Sequence, residues 1–403
     1  MGQVLLLAAM PILTRLFTPE AFGLFGVLAA INGIFGLVMS GRYEFGIPLA
    51  DSNKKAAALI VLGTIVVAGL SLVSFLIVWA FGAQLAAATE MHALNKLLWL
   101  VPLILLITGL GQPFEYLSIR RETMRLNGLS RFAQLGGQAV FQTLFGLLGA
   151  GPLGLTIGYA AGYLGRLCVL ATTLPKSVWS EITATQFSEV RSVARAFRRY
   201  PAYSMPSSLL RSATQFSPTI VLAVIYGPGV AGGFDLSQRI LTVPVRLISS
   251  GASQVFLAET AHRDPSGVRQ LFRQTVPRFL VVGIVGMAPI FIAGPFLFAT
   301  IFGEPWREAG SFAQALAALQ LSRFVSVPVS QVFNIFQRQD LDLQSSLLNA
   351  LAIAAAFAVV VAGDYDPISA VLAYSLASAI SQIALLGFAW YTVQRAILPQ
   401  DSD

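Results

Sequence analysis

Two arginines lie in a stretch of sequence that otherwise resembles a membrane-spanning helix. Arg239 and Arg246 are seven residues apart within residues 234–257. Seven residues make about two helical turns, so both guanidinium groups project from one face. A charge at the centre of a bilayer costs about 2.5–3.5 kcal/mol on insertion scales, so it is kept facing other protein or water. The pair therefore predicts an internal, water-filled path for an anionic substrate.

The composition requires lipid as the outer solvent. Of the 403 residues, 56% are hydrophobic and 11% are charged, and the mean hydropathy is +0.72. Soluble domains carry about 25% charged residues. The single cysteine, Cys168, excludes an intramolecular disulfide, and the two histidines lie far apart, so we expect no metal and no cofactor. The net charge of +7 raises nucleic acid as a partner, but the positions of the charges argue against it.

Apolar segments of about 20 residues predict about twelve transmembrane helices. The first, residues 4–17, is too short to cross a bilayer alone and lacks the features of a signal peptide. We interpret it as the second part of a first helix whose beginning is missing. The other predicted spans are residues 22–39, 56–81, 94–110, 132–148, 153–174, 202–226, 234–257, 279–302, 312–336, 343–361 and 368–393.

Basic residues in the connections predict the orientation. With a cytoplasmic N-terminus, the outer connections contain only Arg15, Lys96 and Arg307, and the inner ones contain most other loop lysines and arginines. This is the positive-inside pattern, and it places both termini in the cytoplasm.

The chain divides into two similar halves. Residues 176–200 form the longest connection between predicted spans, and residues 181–199 within it could make a cytoplasmic amphipathic helix. On either side of this connection we predict a six-helix lobe, residues 1–175 and residues 201–403. The pattern P-x-x-x-G-x-F at Pro19 recurs at Pro228, which favours an internal duplication. Two six-span halves run parallel, and in such transporters the substrate site lies at their interface.

Polar residues at helical spacing mark the helices that face this interface. The arginines predicted to bind the substrate are Arg211, Arg239, Arg246 and Arg323. The predicted polar lining is Ser207, Thr242, Gln320 and Asn334. Asp235 and Glu44 are the candidates for coupling transport to protons or sodium.

Each of these residues also has a structural interpretation. Arg239 could pair with Asp235 four residues earlier. Arg42 and Glu44 most simply form an ion pair at a helix end, and Arg166 could extend to the membrane interface. Stripes of Ser, Thr and Gln also occur as contacts between helices.

Motifs of soluble enzymes are missing from the sequence. There is no G-x-x-x-x-G-K-[ST] loop for nucleotide hydrolysis, and no catalytic triad, pair of catalytic carboxylates or metal cluster. We therefore expect a protein that is not an enzyme. A lipid-processing enzyme is the alternative from a different class, and it would need an acidic or histidine cluster.

Several runs resemble one known family. Residues 11–26, PILTRLFTPEAFGLFG, are similar to the opening of Wzx-type polysaccharide-biosynthesis flippases. Further similar runs are residues 42–44, 200–208, 226–227, 237–239, 301–303, Trp306 and 309–310. The resemblance implies the multidrug/oligosaccharidyl-lipid/polysaccharide exporter (MOP) superfamily: an all-α polytopic membrane protein with two six-helix lobes around a central cavity.

The resemblance also implies a substrate and a location. Wzx-type flippases move polyprenyl-diphosphate-linked oligosaccharide repeat units across the bacterial inner membrane for surface polysaccharide synthesis, by alternating access. The partners would be this substrate, membrane lipids and the polysaccharide polymerase and export machinery. Two alternatives within the superfamily are a lipid II flippase and a multidrug exporter, the latter weakened because a cation exporter needs acidic residues in its cavity.

Overall fold

Residues 2–88, 91–260, 263–336 and 338–395 are described by a computed structural model, and within them all regular secondary structure is helical. The α-helices are α1 (Gly2–Leu16), α2 (Pro19–Phe35), α3 (Asn53–Ala88), α4 (His92–Leu98), α5 (Val101–Arg120), α6 (Met124–Leu147), α7 (Gly151–Thr172), α8 (Lys176–Thr183), α9 (Phe187–Ala196), α10 (Met205–Tyr226), α11 (Pro228–Thr260), α12 (Pro265–Phe302), α13 (Arg307–Val329), α14 (Val332–Ile335), α15 (Gln339–Gly363) and α16 (Pro367–Arg395). The prediction of an all-α membrane protein is confirmed.

Every predicted span falls on a helix. The fourth prediction covers α4 and α5, which a short break separates, and the tenth covers α13 and α14. In the described part of the chain, ten helices are long and apolar enough to cross a membrane. Of the other two predicted spans, α1 has 15 residues, and α6 contains buried glutamines that lower its hydropathy. The chain is therefore a multi-pass membrane protein.

The chain forms two compact units, Met1–Gly232 (unit 1) and Gly233–Asp403 (unit 2). The boundary lies within α11, so unit 1 contains α1 to α10 and the first turn of α11. The division into lobes 1–175 and 201–403 stays a prediction about the evolutionary halves.

The predicted amphipathic helix over residues 181–199 is two helices, α8 and α9. The chain begins a new helix after Gln186, because Gln186 and Glu189 form a capping box in which each side chain accepts a backbone N–H of the other residue. The amphipathic pattern predicts one apolar side that contains Phe187, Val190 and Val193. This is wrong for Phe187, whose side chain is 78% exposed, and correct for the two valines. Val178, Val190 and Val193 are buried in a core of unit 1 that also contains parts of α3, α5 and α7.

The repeated P-x-x-x-G-x-F pattern marks a reciprocal contact within unit 1. A Cβ atom at Gly23 would lie 1.6 Å from the carbonyl oxygen of Pro228, and a Cβ atom at Gly232 would lie 1.9 Å from that of Pro19. The glycine of each copy therefore packs directly against the proline of the other, and a larger residue at either position would force the backbones apart. Two duplicated segments related by a local two-fold axis would make such a pair of matching contacts.

Candidate functional site

Three serines of α11 bind backbone carbonyls of α13 in unit 2. The pairs are Ser237 with Ala309, Ser249 with Phe324 and Ser253 with Val327, at 2.6, 3.5 and 3.2 Å. Residue numbers rise together along the two helices, so α11 and α13 run parallel. Small hydroxyl side chains let helix backbones approach closely in a membrane. The two helices that carry most of the predicted site residues are thus held in a defined register.

A buried hydrogen-bond network lies between these helices. The Gln320 side chain has no exposed surface, and its Nε2 donates to Thr242 Oγ1 at 3.1 Å and to Gln238 Oε1 at 3.3 Å. Gln238 Nε2 in turn donates to the hydroxyl of Tyr374 on α16 at 3.3 Å. Two predicted residues, Thr242 and Gln320, are therefore in direct contact, and the contact joins helices. Oε1 of Gln320 is buried without a hydrogen-bond partner among the described residues.

Arg239 is neutralised by a neighbour on its own helix. Its Nε lies 2.7 Å from Oδ2 of Asp235, one turn earlier, and the side chains are only 22% and 15% exposed. The ion pair predicted from the four-residue spacing is therefore present. The carboxylate of Asp235 neutralises the charge of Arg239. Asp235 therefore has a structural role in addition to being a candidate for ion coupling.

Arg246 and Arg323 differ from Arg239. Arg246 is exposed, Arg323 is half-buried, and neither guanidinium has a carboxylate or hydrogen-bond partner in the part of the chain that the structure describes. Arg246 lies near the middle of α11, between the contacts made by Thr242 and Ser249. On α13, Arg323 lies between Gln320, which contacts Thr242, and Phe324, whose carbonyl contacts Ser249. The two arginines thus occupy the same level of the α11–α13 pair.

The remaining predicted residues lie on two other helices, α14 of unit 2 and α10 of unit 1. Asn334 is on the short helix α14, exposed, and its Nδ2 donates to Gln331 Oε1 at 2.9 Å. Ser207 and Arg211 are exposed on α10 in unit 1. Within unit 2, therefore, the structure brings together the predicted residues of α11 and α13 and leaves Asn334 outside.

Unit 1 contains a second polar cluster, centred on Arg42. This residue has a left-handed backbone (φ 63°), and its Nε and Nη2 donate to Ser208 Oγ of α10 at 3.0 and 2.7 Å. Its Nη1 lies 3.4 Å from Oε1 of Glu44, which confirms the predicted ion pair. The Ser40 hydroxyl lies within hydrogen-bond distance of Glu44 Oε2 and Gln112 Oε1, and its one proton can be donated to either, so it ties the turn after α2 to α5. The cluster joins three parts of unit 1 and leaves no carboxylate oxygen of Glu44 without a partner.

Glu44 is a buried acid, with 1% of its side chain exposed. Burial raises the pKa of its carboxyl group, while the hydrogen bond from Ser40 and the charge of Arg42 act in the opposite direction. The guanidinium of Arg42 also lies 4.5 Å from the centroid of the Phe45 ring. A cation–π contact of this kind adds about 0.5–2 kcal/mol and helps to fix the side chain.

Arg166 also has an acidic partner. It is 5% exposed, and its Nη2 donates to Glu115 Oε2 on α5. Arg131 on α6 lies 3.8 Å from the other carboxylate oxygen, so two cations share one acid. Glu115 therefore provides Arg166 with a counter-charge inside unit 1, and the interpretation that Arg166 extends to the membrane interface stays a prediction.

Sequence reasoning did not assign roles to several residues of these clusters. Gln238 could have been found, because it lies one turn before Thr242 on the polar stripe. Ser208, Gln112 and Tyr374 could not, because their partners are 72 to 166 residues away. Such pairings depend on how helices pack, and spacing along one helix carries no information about them.

Comparisons with known proteins relate the chain to polysaccharide biosynthesis proteins by sequence and to transporters of known structure by fold. A family profile described as "Polysaccharide biosynthesis protein" matches residues 12–311. The lipopolysaccharide biosynthesis protein WzxC of Escherichia coli is 23% identical over 148 residues, which is 36% of this chain but only 30% of that protein.

Solved structures share the fold. An inward-facing MATE-family multidrug resistance transporter of the MOP superfamily has a TM-score of 0.76 at 14% identity, covering 98% of this chain and 95% of its own. The lipid II flippase MurJ in an inward closed conformation has a TM-score of 0.70 at 13% identity, covering 96% and 85%. Another MOP superfamily transporter, from Pyrococcus furiosus, has a TM-score of 0.63 at 13% identity, covering 98% and 93%.

Proposed function

We propose, since the chain belongs to the polysaccharide biosynthesis protein family, that it is a flippase for polyprenyl-diphosphate-linked oligosaccharide repeat units. It moves them from the cytoplasmic to the outer leaflet for the synthesis of a surface polysaccharide such as O-antigen, capsule or exopolysaccharide. The likeness to WzxC supports the assignment to surface polysaccharides. The likeness to MurJ and to MATE transporters supports transport as the activity.

The observation that carries the proposal is the pair of arginines without a counter-charge, Arg246 and Arg323. Both lie inside segments long and apolar enough to cross a membrane, where an unpaired charge is expensive. The described residues offer neither arginine an acid. A diphosphate carries the complementary charge and accepts paired hydrogen bonds from the planar guanidinium group. We assign diphosphate binding to these two residues first. Arg211 and Arg239 are assigned to anionic sugars, with Arg239 acting through its ion pair.

Polar groups of the predicted lining suit the sugars. Ser207 and Asn334 are exposed, so their hydroxyl and amide groups can reach sugar hydroxyls. Thr242 is half-buried, and its hydroxyl already bonds to Gln320 and Gln238, so it would offer a sugar only its remaining acceptor capacity. Gln320 is fully buried and would act by holding Thr242 in position. The prenyl chain stays in lipid, because transferring it to water would expose a large apolar surface.

We place both termini on the cytoplasmic face of the bacterial inner membrane, as the distribution of basic residues predicts. Transport would follow alternating access, in which the binding residues open first to the cytoplasm and then to the outer side. Asp235 and Glu44 are the candidates for coupling to protons or sodium. A polysaccharide polymerase and export machinery would receive the product.

Transport into proteoliposomes tests this function directly. Purified protein is reconstituted with a fluorescent prenyl-diphosphate oligosaccharide in the outer leaflet, and protection of the sugar from an added glycosidase reports translocation. Parallel arms vary the pH and sodium gradients and replace the substrate by lipid II or by an organic cation. We expect protection for the diphosphate oligosaccharide, and none in empty vesicles. Translocation of the organic cation alone would overturn the proposal in favour of a drug exporter, and translocation of lipid II alone would favour the lipid II alternative.

A further inference from the structure

Four exposed arginines follow one another on and just after α9. They are Arg191, Arg195, Arg198 and Arg199, here called the α9 arginine group. In the described parts of the chain none of them has an acidic or hydrogen-bonding partner. Other exposed arginines of the molecule do, such as Arg263 with Glu259 and Arg307 with Glu304. An exposed cluster of one sign without counter-charges attracts anions from its surroundings.

One side of α9 is buried against the protein and another side is exposed. Val190 and Val193 are buried in the core of unit 1, so this side fixes the helix to the protein. Phe187, Arg191 and Arg195 are spaced by four residues and therefore share another side of the helix. The Phe187 ring on that side is 78% exposed, among the most exposed large apolar side chains in the described residues. A phenyl ring next to unpaired arginines is the residue pattern of helices that lie at a membrane surface.

Acidic residues near α9 do not neutralise this charge. Residues 176–200 contain five basic and two acidic residues. One of the acids, Glu189, accepts the backbone N–H of Gln186 at 3.1 Å and serves as the helix cap. The same segment joins α7 and α10, which both cross the membrane, so α9 stays close to the bilayer surface.

We propose that the α9 arginine group binds the phosphate headgroups of anionic phospholipids, with Phe187 inserted among the upper acyl chains. The ligand is a resident lipid of the cytoplasmic leaflet, and the binding is independent of the transported substrate. Arginines near an anionic surface contribute about 1 kcal/mol each, which corresponds to about a five-fold change in lipid affinity for each arginine removed. The contact would hold α9 at the interface while other parts of the protein move.

Native mass spectrometry of the full-length protein in detergent tests the proposal. Phosphatidylglycerol and phosphatidylcholine are titrated separately into wild-type protein, the R191Q/R195Q variant and the F187A variant. The charge-matched control is R15Q/R307Q, which removes two arginines from the predicted outer side. We expect the wild type to prefer phosphatidylglycerol, R191Q/R195Q to bind it about 25-fold more weakly, and the control to bind like the wild type. The affinity for phosphatidylcholine should not change in R191Q/R195Q.

Three outcomes would overturn the inference. One is equal affinity of wild-type protein for the two lipids, and another is unchanged phosphatidylglycerol binding by R191Q/R195Q with a normal melting temperature. The third is complete competition by inorganic phosphate at the lipid's own concentration, which would indicate a free-phosphate site instead of a membrane contact. If R191Q/R195Q does not fold, the single variants R191Q and R195Q give the same comparison. None of these outcomes bears on the flippase proposal, because lipid affinity is read without transport.

Discussion

Unit 1 and unit 2 differ in how the arginines in or beside their membrane helices are neutralised. In unit 1, Arg42 and Arg166 each contact a carboxylate on a neighbouring residue or helix. In unit 2, Arg239 follows the same rule, but Arg246 and Arg323 have no acid among the described residues. Removing one member of a buried pair leaves an uncompensated charge, so the paired arginines stabilise the fold. An unpaired arginine inside a membrane protein contributes nothing of this kind, and is explained best by a ligand that supplies the missing charge.

The largest effect should follow from breaking a pair in unit 1. The E115Q substitution removes the charge opposite Arg166, and we expect a loss of about 1–3 kcal/mol of stability. This is below the roughly 3–5 kcal/mol typical of a fully buried pair, because the Glu115 side chain is 23% exposed. The apparent melting temperature in detergent measures this loss. The E115Q/R166M double variant should recover most of it, since it removes the orphaned charge as well.

The surface pair of Glu259 and Arg263 provides the control for this experiment. Both side chains are more than 40% exposed, so E259Q should change the stability by less than about 1 kcal/mol. Equal melting temperatures for E115Q and E259Q would show that the ion pair in unit 1 does not stabilise the fold.

Removing an unpaired arginine of unit 2 should reduce transport and leave stability unchanged, whereas E115Q reduces stability. R246A should fold with a melting temperature close to that of the wild type, because Arg246 is exposed and pairs with no described residue. Its transport rate should fall about 10–100-fold, as expected from the loss of charge-assisted hydrogen bonds of about 1.5–3 kcal/mol. R246K should be intermediate, since lysine keeps the charge but loses the planar, bidentate geometry. R323A should behave in the same way.

Surface polysaccharide in a complemented deletion strain and the proteoliposome assay both report this effect. R278A is the matched control, because Arg278 is an exposed arginine on α12 that the site does not include. Full polysaccharide output from both R246A and R246K, at normal protein levels, would remove Arg246 from the binding site.

The sequence was sufficient for features that repeat along one helix and insufficient for contacts between distant helices. Long apolar segments gave the membrane helices, and a four-residue spacing gave the pair Arg239–Asp235. The partner of Arg166 was missed because Glu115 is 51 residues away on another helix. The break before α9 was missed because the apolar periodicity continues across it, while the local capping box starts a new helix.

A smaller effect should separate helix packing from ligand binding in the network of unit 2. Q320L removes a fully buried amide that donates to Thr242 and Gln238. We expect a stability loss of about 1 kcal/mol. The two acceptors lose their buried donor, but the unpartnered Oε1 of Gln320 is removed as well. The apparent substrate affinity should stay within a few-fold of the wild-type value. An affinity loss as large as that of R246A, without a stability loss, would instead mean that Gln320 contacts the sugars.

The smallest effect should be a change in the pH dependence of stability at Glu44. Burial raises the pKa of this carboxyl group above its ordinary value, so the folded protein holds the proton more tightly than the unfolded chain does. Stability therefore falls as the pH rises from the ordinary pKa of a glutamate through the raised value. Glutamine does not titrate, and E44Q lacks this contribution.

The melting temperature of E44Q minus that of the wild type should consequently increase with pH across this window and become constant above it. Subtracting the wild-type curve cancels the titration of all other groups. A difference that decreases with pH would mean that Arg42 and Ser40 stabilise the carboxylate more than burial destabilises it. Glu44 would then be a permanent anion of unit 1 and would no longer be a candidate for proton coupling.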